Sequence, residues 1–198
     1  MLVSMDTQAL HRCPWCLGDP DYERYHDTEW GVPLRDDRKL FSLLVLEGAQ
    51  AGLSWLTILK RCEGYLAAMD GLDPEKLARY TEADLNRLLR DGRIIRNRRK
   101  LESAVGNARA LLAMEDRGIN FAEWLWAWVE NKPIINHWQS LAELPASTPL
   151  SETISRELKR LSFTFVGPTI IYAYMQSAGL VNDHLTGCYR HRELTSGA

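Results

Sequence analysis

The stretch DDRKLFSLLVLEGAQAGLSW, residues 36–55, decides the fold. Leu40 and Leu44 share one helical face with their apolar neighbours, and the pair of aspartates at the start suits a helix N-terminus. Gly48 and Gly52 then interrupt the pattern. The stretch therefore predicts a strongly apolar helix that begins at its acidic end and gives way to a turn.

The rest of the chain repeats this helical pattern, and no segment alternates with period two for long enough to predict a strand. We expect an all-α fold in one domain, residues 1–198. Further helices are predicted from Ser54 through Met69, after Asp73-Pro74, from Thr81 through Leu89, at about Asn97–Asp116, from Asn120, at about Glu152–Leu161 and at about Pro168–Ala178, with N-caps expected at Ser54, Asp73 and Thr81.

Composition limits the classes of protein that this chain can be. It has 198 residues and a net charge of −2, so bulk charge does not predict a nucleic-acid partner, and only local clusters can. We find no signal peptide at the start and no apolar run long enough to cross a membrane, which predicts a cytoplasmic protein. In that reducing compartment the four cysteines favour metal binding or free thiols over disulfides.

Glu47 is the first candidate for chemistry. It lies three residues after Leu44 and seven after Leu40, so its carboxylate is aimed at the apolar interior of the predicted helix. A buried charge needs a partner or a function. A buried salt bridge or a backbone cap explains the position as well as a catalytic or binding role does.

The aromatic residues near the N-terminus are the second candidate. Trp15, Tyr22, Tyr25 and Trp30 fall in a stretch too polar for a core helix, among several acidic residues. Such aromatics can line a cage for a flat cationic ligand, by stacking and by cation–π attraction. Taken alone, the residues favour the alternative, which is packing against the edge of the main body.

A basic segment is the third candidate. It surrounds Gly92 and the apolar pair Ile94-Ile95, and Asp91 alone opposes its charge. Two helices joined by a glycine turn present backbone N–H groups that suit a phosphate, and a solvated charged surface is the alternative. The cationic residues are Arg87, Arg90, Arg93, Arg96, Arg98, Arg99 and Lys100.

Cysteines and histidines at both ends of the chain suggest a metal site. Cys13 and Cys16 form a C-x2-C pair that His26 follows, and His184 lies one helical turn before Cys188. Thiolate and neutral imidazole are the usual zinc ligands. Spacing does not decide the set, because Cys16 and His191 compete for membership and the residues are also compatible with free thiols and surface histidines.

Five motifs occur in an order that is more specific than any one of them: Cys13–Trp15, Tyr25–Pro33, Leu46–Trp55, Phe165–Gly167 and Gly179–His184. Together they resemble the 3-methyladenine DNA glycosylase I family, the constitutive bacterial alkylation-repair enzymes. The resemblance covers about residues 12–188. Cys16, a short N-terminal extension and the C-terminal tail depart from the family pattern.

The resemblance implies a helix-hairpin-helix DNA glycosylase fold, with the hairpin at about 81–116, and a structural zinc that joins segments 12–30 and 180–190. It matches the zinc ligands to Cys13, His26, His184 and Cys188. It places the base pocket at Glu47 with Trp15, Tyr25, Trp30 and Trp55. It also implies that Leu53 wedges into DNA, with contacts expected at Gly92, Arg93, Arg96, Arg98 and Arg99.

The implied reaction is hydrolytic excision of N3-methyladenine from double-stranded DNA by a monomeric, monofunctional enzyme, which leaves an abasic site. The family lacks the catalytic aspartate of many related glycosylases, and no equivalent is obvious here. Two rival interpretations are a zinc-stabilised DNA-binding module without activity, and a zinc hydrolase with three protein ligands and a catalytic water.

Overall fold

The computed structural model describes residues 10–196. Residues 1–9, where we expect no signal peptide, lie outside the described residues, as do residues 197–198. The α-helices are, in order, α1 (Pro20–Thr28), α2 (Asp37–Gln50), α3 (Trp55–Leu59), α4 (Cys62–Ala68), α5 (Pro74–Leu77), α6 (Glu82–Leu88), α7 (Arg98–Glu115), α8 (Phe121–Ala127), α9 (Pro149–Arg160), α10 (Pro168–Ser177) and α11 (Tyr189–Ser196).

Helix α2 is the centre of the fold, as the opening stretch predicts. The side chain of Asp36 caps it by accepting a hydrogen bond from the Lys39 N–H at 2.8 Å. Leu40 and Leu44 are fully buried, and α2 packs against α3, α7, α8 and α10. The Tyr174 hydroxyl of α10 donates to the Leu40 carbonyl at 3.0 Å, which fixes the register of these two helices.

Most predicted helix starts are confirmed, and two predicted bounds need correction. The single helix expected from Ser54 through Met69 is wrong: the chain turns at Arg61 and forms α3 and α4, although both keep the same helical spacing. Helix α9 begins at Pro149, where Thr148 and Ser151 form a capping box. The polar stretch after Asp19 is helical, because that aspartate caps α1 ahead of a proline.

The two ends of the described chain pack side by side. Two short parallel strands pair, β1 (Ile134–Ile135) with β2 (Val181–Asn182). Strands of two residues are too short to produce a recognisable alternation of apolar and polar residues in the sequence. Gly179 ends α10 with φ +73°, and a Cβ there would lie 2.5 Å from the Val32 carbonyl carbon. The turn after α10 therefore closes against the segment after α1, which brings both ends to one site.

Two helical pairs are each joined by a short connection. Helices α6 and α7 enclose the basic segment, and α9 and α10 pack along each other with a loop at 161–167. Within residues 10–196, none of the helices combines the length and the apolar character needed to span a bilayer.

Candidate active site

Glu47 is the buried carboxylate that the helical spacing predicts, with a side chain 1% exposed. Its Oε1 accepts a hydrogen bond from the Ser177 hydroxyl of α10 at 2.6 Å. No cation pairs with it among the described residues, so the salt-bridge explanation fails. Burial raises the pKa of Glu47 to about 8, and the Ser177 hydrogen bond offsets only part of that rise.

The four aromatic residues expected around Glu47 line the same cavity, of about 210 Å³. Trp15 stands edge-on to Trp30, with ring centroids 5.0 Å apart, and Tyr25 lies 5.5 Å from Trp55. These four rings therefore come from four places in the chain: before α1, within α1, after α1 and at the start of α3. Edge packing, which the residues alone favour, accounts for the contacts between the rings but not for the shared space that they enclose.

Two donors in this cavity have no partner. The Tyr25 hydroxyl and the Trp55 Nε1–H are buried and make no hydrogen bond to any described residue. An unpaired buried polar group is costly, so its presence calls for an explanation. Together with the Glu47 carboxyl group, these groups form a flat aromatic slot with polar atoms at its edge, which suits a planar heterocycle.

Sequence reasoning missed three cavity residues on α10, Ala173, Gln176 and Ser177, as well as Gln50 and Leu144. Gln176 Nε2 donates to Asp183 Oδ2 at 2.8 Å, and Asp183 also accepts bonds from Tyr172, Asn136 and Trp138. Because a carboxylate only accepts, this contact fixes the amide of Gln176. The sequence did contain a signal for the α10 residues. Gln176 and Ser177 follow Ala173 by three and four positions, which places all three on one face of an otherwise apolar helix.

The turn after α2 carries the expected wedge residue. Gly52 has φ +79°, and the Leu53 N–H donates to the Gln50 carbonyl at 2.7 Å, so the turn is tight. The Leu53 side chain is 38% exposed, which is high for a large apolar residue. Leu53 therefore projects from the surface a few residues beyond Glu47.

The basic segment lies on the surface between α6 and α7. Arg93 forms an ion pair with Asp91, with 2.6 Å between Nη2 and Oδ2, and Arg98 forms one with Glu82, with 2.7 Å between Nη1 and Oε1. Arg96 and Arg99 are exposed and make no ion pair within residues 10–196. The cationic surface that remains free is thus smaller than the sequence count suggests.

Cys13, His26, His184 and Cys188 form a buried cluster whose ligand atoms all lie within 4.8 Å of one another. Cys188 Sγ lies 3.4 Å from His26 Nε2 and 3.6 Å from His184 Nδ1. The bond lengths of a tetrahedral zinc site imply ligand atoms about 3.3–3.8 Å apart. Four of the separations in the cluster lie between 3.1 and 3.7 Å, so the donors present suit that metal. The two other candidate ligands lie outside this cluster: the Cys16 thiol donates to the Cys13 carbonyl, and His191 contacts the Asn136 carbonyl.

Hydrogen bonds outside the cluster orient both imidazoles. His26 Nδ1 lies 2.8 Å from Asp27 Oδ1, and His184 Nε2 lies 3.1 Å from the Trp30 carbonyl. The Asp27 carboxylate also accepts a hydrogen bond from Arg12. Each ring therefore turns its other nitrogen toward the cluster, as metal-ligating histidines usually do. Trp30 links this cluster directly to the aromatic cavity.

Comparisons with known proteins agree with one another. A sequence profile of the family described as methyladenine glycosylase matches residues 15–191. DNA-3-methyladenine glycosylase 1 of Escherichia coli (strain K12) is 48% identical over 179 residues, which cover 90% of this chain and 96% of the relative. DNA-3-methyladenine glycosylase of Haemophilus influenzae is 47% identical over 177 residues, covering 89% and 96%. A crystal structure of 3-methyladenine DNA glycosylase I has a TM-score of 0.89 at 50% identity, covering 90% of this chain and 98% of that one.

Proposed function

The chain belongs to the methyladenine glycosylase family, and we propose that it excises N3-methyladenine from alkylated DNA by hydrolysis of the N-glycosyl bond, leaving an abasic site. A structural neighbour with TM-score 0.86 and 37% identity, covering 90% of this chain and 96% of its own, is a 3-methyladenine DNA glycosylase I variant in complex with 3-methyladenine. That relative binds the base that the proposed reaction would release.

The observation that carries the proposal is Glu47, buried without a cation at the edge of an aromatic cavity. N3-methylation makes the base in DNA cationic, and a cation that enters the cavity favours the ionised form of Glu47. In a dry pocket that carboxylate attracts the cation far more strongly than it would in water. The faces of Trp30 and Trp55 add cation–π attraction. These terms favour the methylated base over neutral adenine, which carries no charge for Glu47 to attract.

The unpaired donors complete the slot. The Tyr25 hydroxyl and the Trp55 Nε1–H can each meet an acceptor on the edge of the ring, and the buried donors then gain the partners that they lack. The fixed amide of Gln176 adds a polar group of set orientation. A base held this way has been drawn out of the helix stack, because a buried side chain such as Glu47 cannot reach a base inside the duplex.

The chemical step needs no strong general acid from the protein, because a cationic base is already a good leaving group. The pocket holds the base while the bond to the sugar breaks and water captures the sugar cation. No lysine lines the cavity among the described residues, which supports a monofunctional enzyme that forms no Schiff base.

We assign DNA contact to the surface around the mouth of the site. Leu53 would fill the gap that the extruded base leaves, and Gly92, Arg93, Arg96, Arg98 and Arg99 would contact phosphates as part of a helix-hairpin-helix at about 81–116. Arg96 and Arg99 are the strongest candidates, because they are exposed and free of ion pairs within the described chain.

The loop at 161–167 between α9 and α10 is a second candidate for phosphate contact. Ser162 and Phe165 adopt positive φ there, and Pro168 opens α10 behind Gly167. Helix starts of this kind present free backbone N–H groups to a phosphate. Single replacements in the basic segment between α6 and α7 and in the loop at 161–167 will show which of the two contacts phosphates. The measurement is the salt dependence of DNA binding.

We propose that the Cys13, His26, His184 and Cys188 cluster holds a structural zinc ion. Four protein ligands leave no open position for a catalytic water, which argues against the zinc hydrolase interpretation. The ion would cross-link two segments that are far apart in sequence and would stabilise the walls of the cavity through Trp30. The protein is further predicted to be a cytoplasmic monomer that folds as one domain.

The deciding experiment measures free 3-methyladenine released from methylated duplex DNA by the metal-loaded protein and by Glu47→Ala. Glu152→Ala, which removes an exposed carboxylate of α9, is the control. We expect release by wild type and by the control but not by Glu47→Ala. Zinc-loaded wild-type protein that binds DNA and releases no base would instead support the DNA-binding module.

A further inference from the structure

Helix α7 carries three polar residues on one face, and each of them binds the backbone of another segment. Lys100, Ser103 and Asn107 follow helical spacing, and the last two are buried. Their partners lie in the turn after α2 and in the loop at 161–167. A polar stripe on the inner face of a helix is unusual unless it performs a task.

Lys100 binds the end of α2. Its Nζ donates to the carbonyls of Ala49 at 2.7 Å and Ala51 at 2.6 Å. The neighbouring carbonyls are satisfied locally, since Gly48 accepts from Ala51 and Gln50 accepts from Leu53. Lys100 therefore donates hydrogen bonds to the two carbonyls at the end of α2 that have no donor within that segment. Its positive charge also complements the negative end of the helix dipole.

The same segment of α2 carries no basic residue in its last turn. Helices commonly place a lysine or arginine there themselves, whereas here the cation comes from the start of α7. Burial lowers the pKa of Lys100, so the ammonium group has given up water for these two carbonyls. Removing the group would leave both carbonyls unpaired beside Gly52 and Leu53.

Asn107 holds the other loop in a comparable way. Its amide accepts from the Thr164 N–H at 2.8 Å and donates to the Thr164 carbonyl at 3.0 Å, and Ser103 donates to the same carbonyl. Phe165 of this loop lies beside Gly48, where an added Cβ would be 3.5 Å away. One helix thus fixes both loops that flank the end of α2.

We propose that Lys100 is a positioning residue for the reaction. It holds the Gln50–Ser54 turn in place, so that Leu53 enters the duplex when the arginines at the start of the same helix contact the phosphates. The inference rests on the proposed function. It differs from a plain stabilising cap in one respect. Lys100 lies outside the cavity lining, although Gln50 at the start of the turn belongs to it, so the loss of Lys100 should affect the handling of duplex DNA far more than the binding of the free base.

Lys100→Met tests this, because it keeps the aliphatic stem and removes the ammonium group, and Lys100→Arg restores the charge. Lys76→Met, an exposed lysine on α5, is the control. Each variant is assayed for single-turnover release of 3-methyladenine from methylated duplex and, by tryptophan fluorescence, for binding of free 3-methyladenine. If Lys100→Met does not fold, Lys100→Gln takes its place, since it removes the charge and keeps an NH2 group that can donate.

We expect Lys100→Met to slow release by about tenfold or more, equivalent to about 1.4 kcal/mol in the barrier. The affinity for the free base should stay within about twofold, a change of less than about 0.5 kcal/mol. Lys100→Arg should recover most of the rate. The double variant with Leu53→Ala should be no slower than the slower single variant, because both changes disable the same wedge.

Equal losses of release and free-base binding would overturn the proposal, since Lys100 would then be supporting the pocket. An unchanged release rate, no recovery in Lys100→Arg, or additive effects with Leu53→Ala would overturn it as well. Wild-type protein that binds the free base but releases none from duplex DNA would refute the proposed function and this inference with it, whereas the other results leave the proposed function intact.

Discussion

Replacing Glu47 with glutamine should stabilise the free protein at alkaline pH while it impairs excision. The side chain is fully buried beside Ser177, and burial raises the pKa of its carboxyl group to about 8. In the unfolded chain the same group titrates near 4.5. Folding therefore takes up a proton between these two values, and the wild-type free energy of unfolding falls as pH rises through that window. The amide of Glu47→Gln does not titrate.

The size of the effect follows from the difference between the two pKa values. At about 1.36 kcal/mol for each pKa unit, the wild-type protein loses up to about 5 kcal/mol between about pH 4.5 and pH 8 through this group. Water that enters the cavity solvates the carboxylate and reduces the loss, so a difference of about 2–5 kcal/mol is expected. Below the window both proteins keep a neutral side chain, and the amide differs from the acid only by a small constant term.

Urea unfolding of metal-loaded wild type and Glu47→Gln, at several pH values between about 5 and 9, measures this difference directly. The other titrating groups are common to both proteins and cancel in the comparison. Glu152→Gln, an exposed carboxylate, is the control and should track the wild type. A stability gap between wild type and Glu47→Gln that does not widen toward high pH would refute the reasoning that Glu47 is held in the cavity without a charged partner.

Three further predictions follow from the same geometry. Removing the metal with a chelator should lower the melting temperature before it lowers the initial excision rate, and loss of activity at unchanged melting temperature would contradict a purely structural ion. Arg96→Gln and Arg99→Gln should each reduce the slope of log affinity for DNA against log salt by about one, and an unchanged slope in both would move the phosphate contact to the loop at 161–167. Gly179→Ala should destabilise the protein by several kcal/mol, because its Cβ would strike Val32, whereas Gly118→Ala, with the same φ of +73° and open space, should cost only about 1–2 kcal/mol. Equal losses of unfolding free energy in these two variants would show that the close approach at Gly179 does not matter.

The sequence by itself determined the helices and the direction in which Glu47 points. Asp36, Asn97 and Asn120 cap α2, α7 and α8 at the predicted helix starts, because a cap and a helical face depend on residues within about four positions of one another. The same locality explains the failure at Arg61. Spacing continues through that turn, so nothing local marks the break between α3 and α4.

Tertiary structure alone decided which residues meet. Cys13 and His184 are 171 positions apart, and the spacing of each end permitted Cys16 or His191 equally well. Ser177 reaches Glu47, and Lys100 reaches the end of α2, only because α7 and α10 pack against that helix. Local periodicity places a side chain on a face, but the partner on the opposing face is set by how the helices pack and where the loops close. A site built from distant segments is therefore visible only in the folded chain.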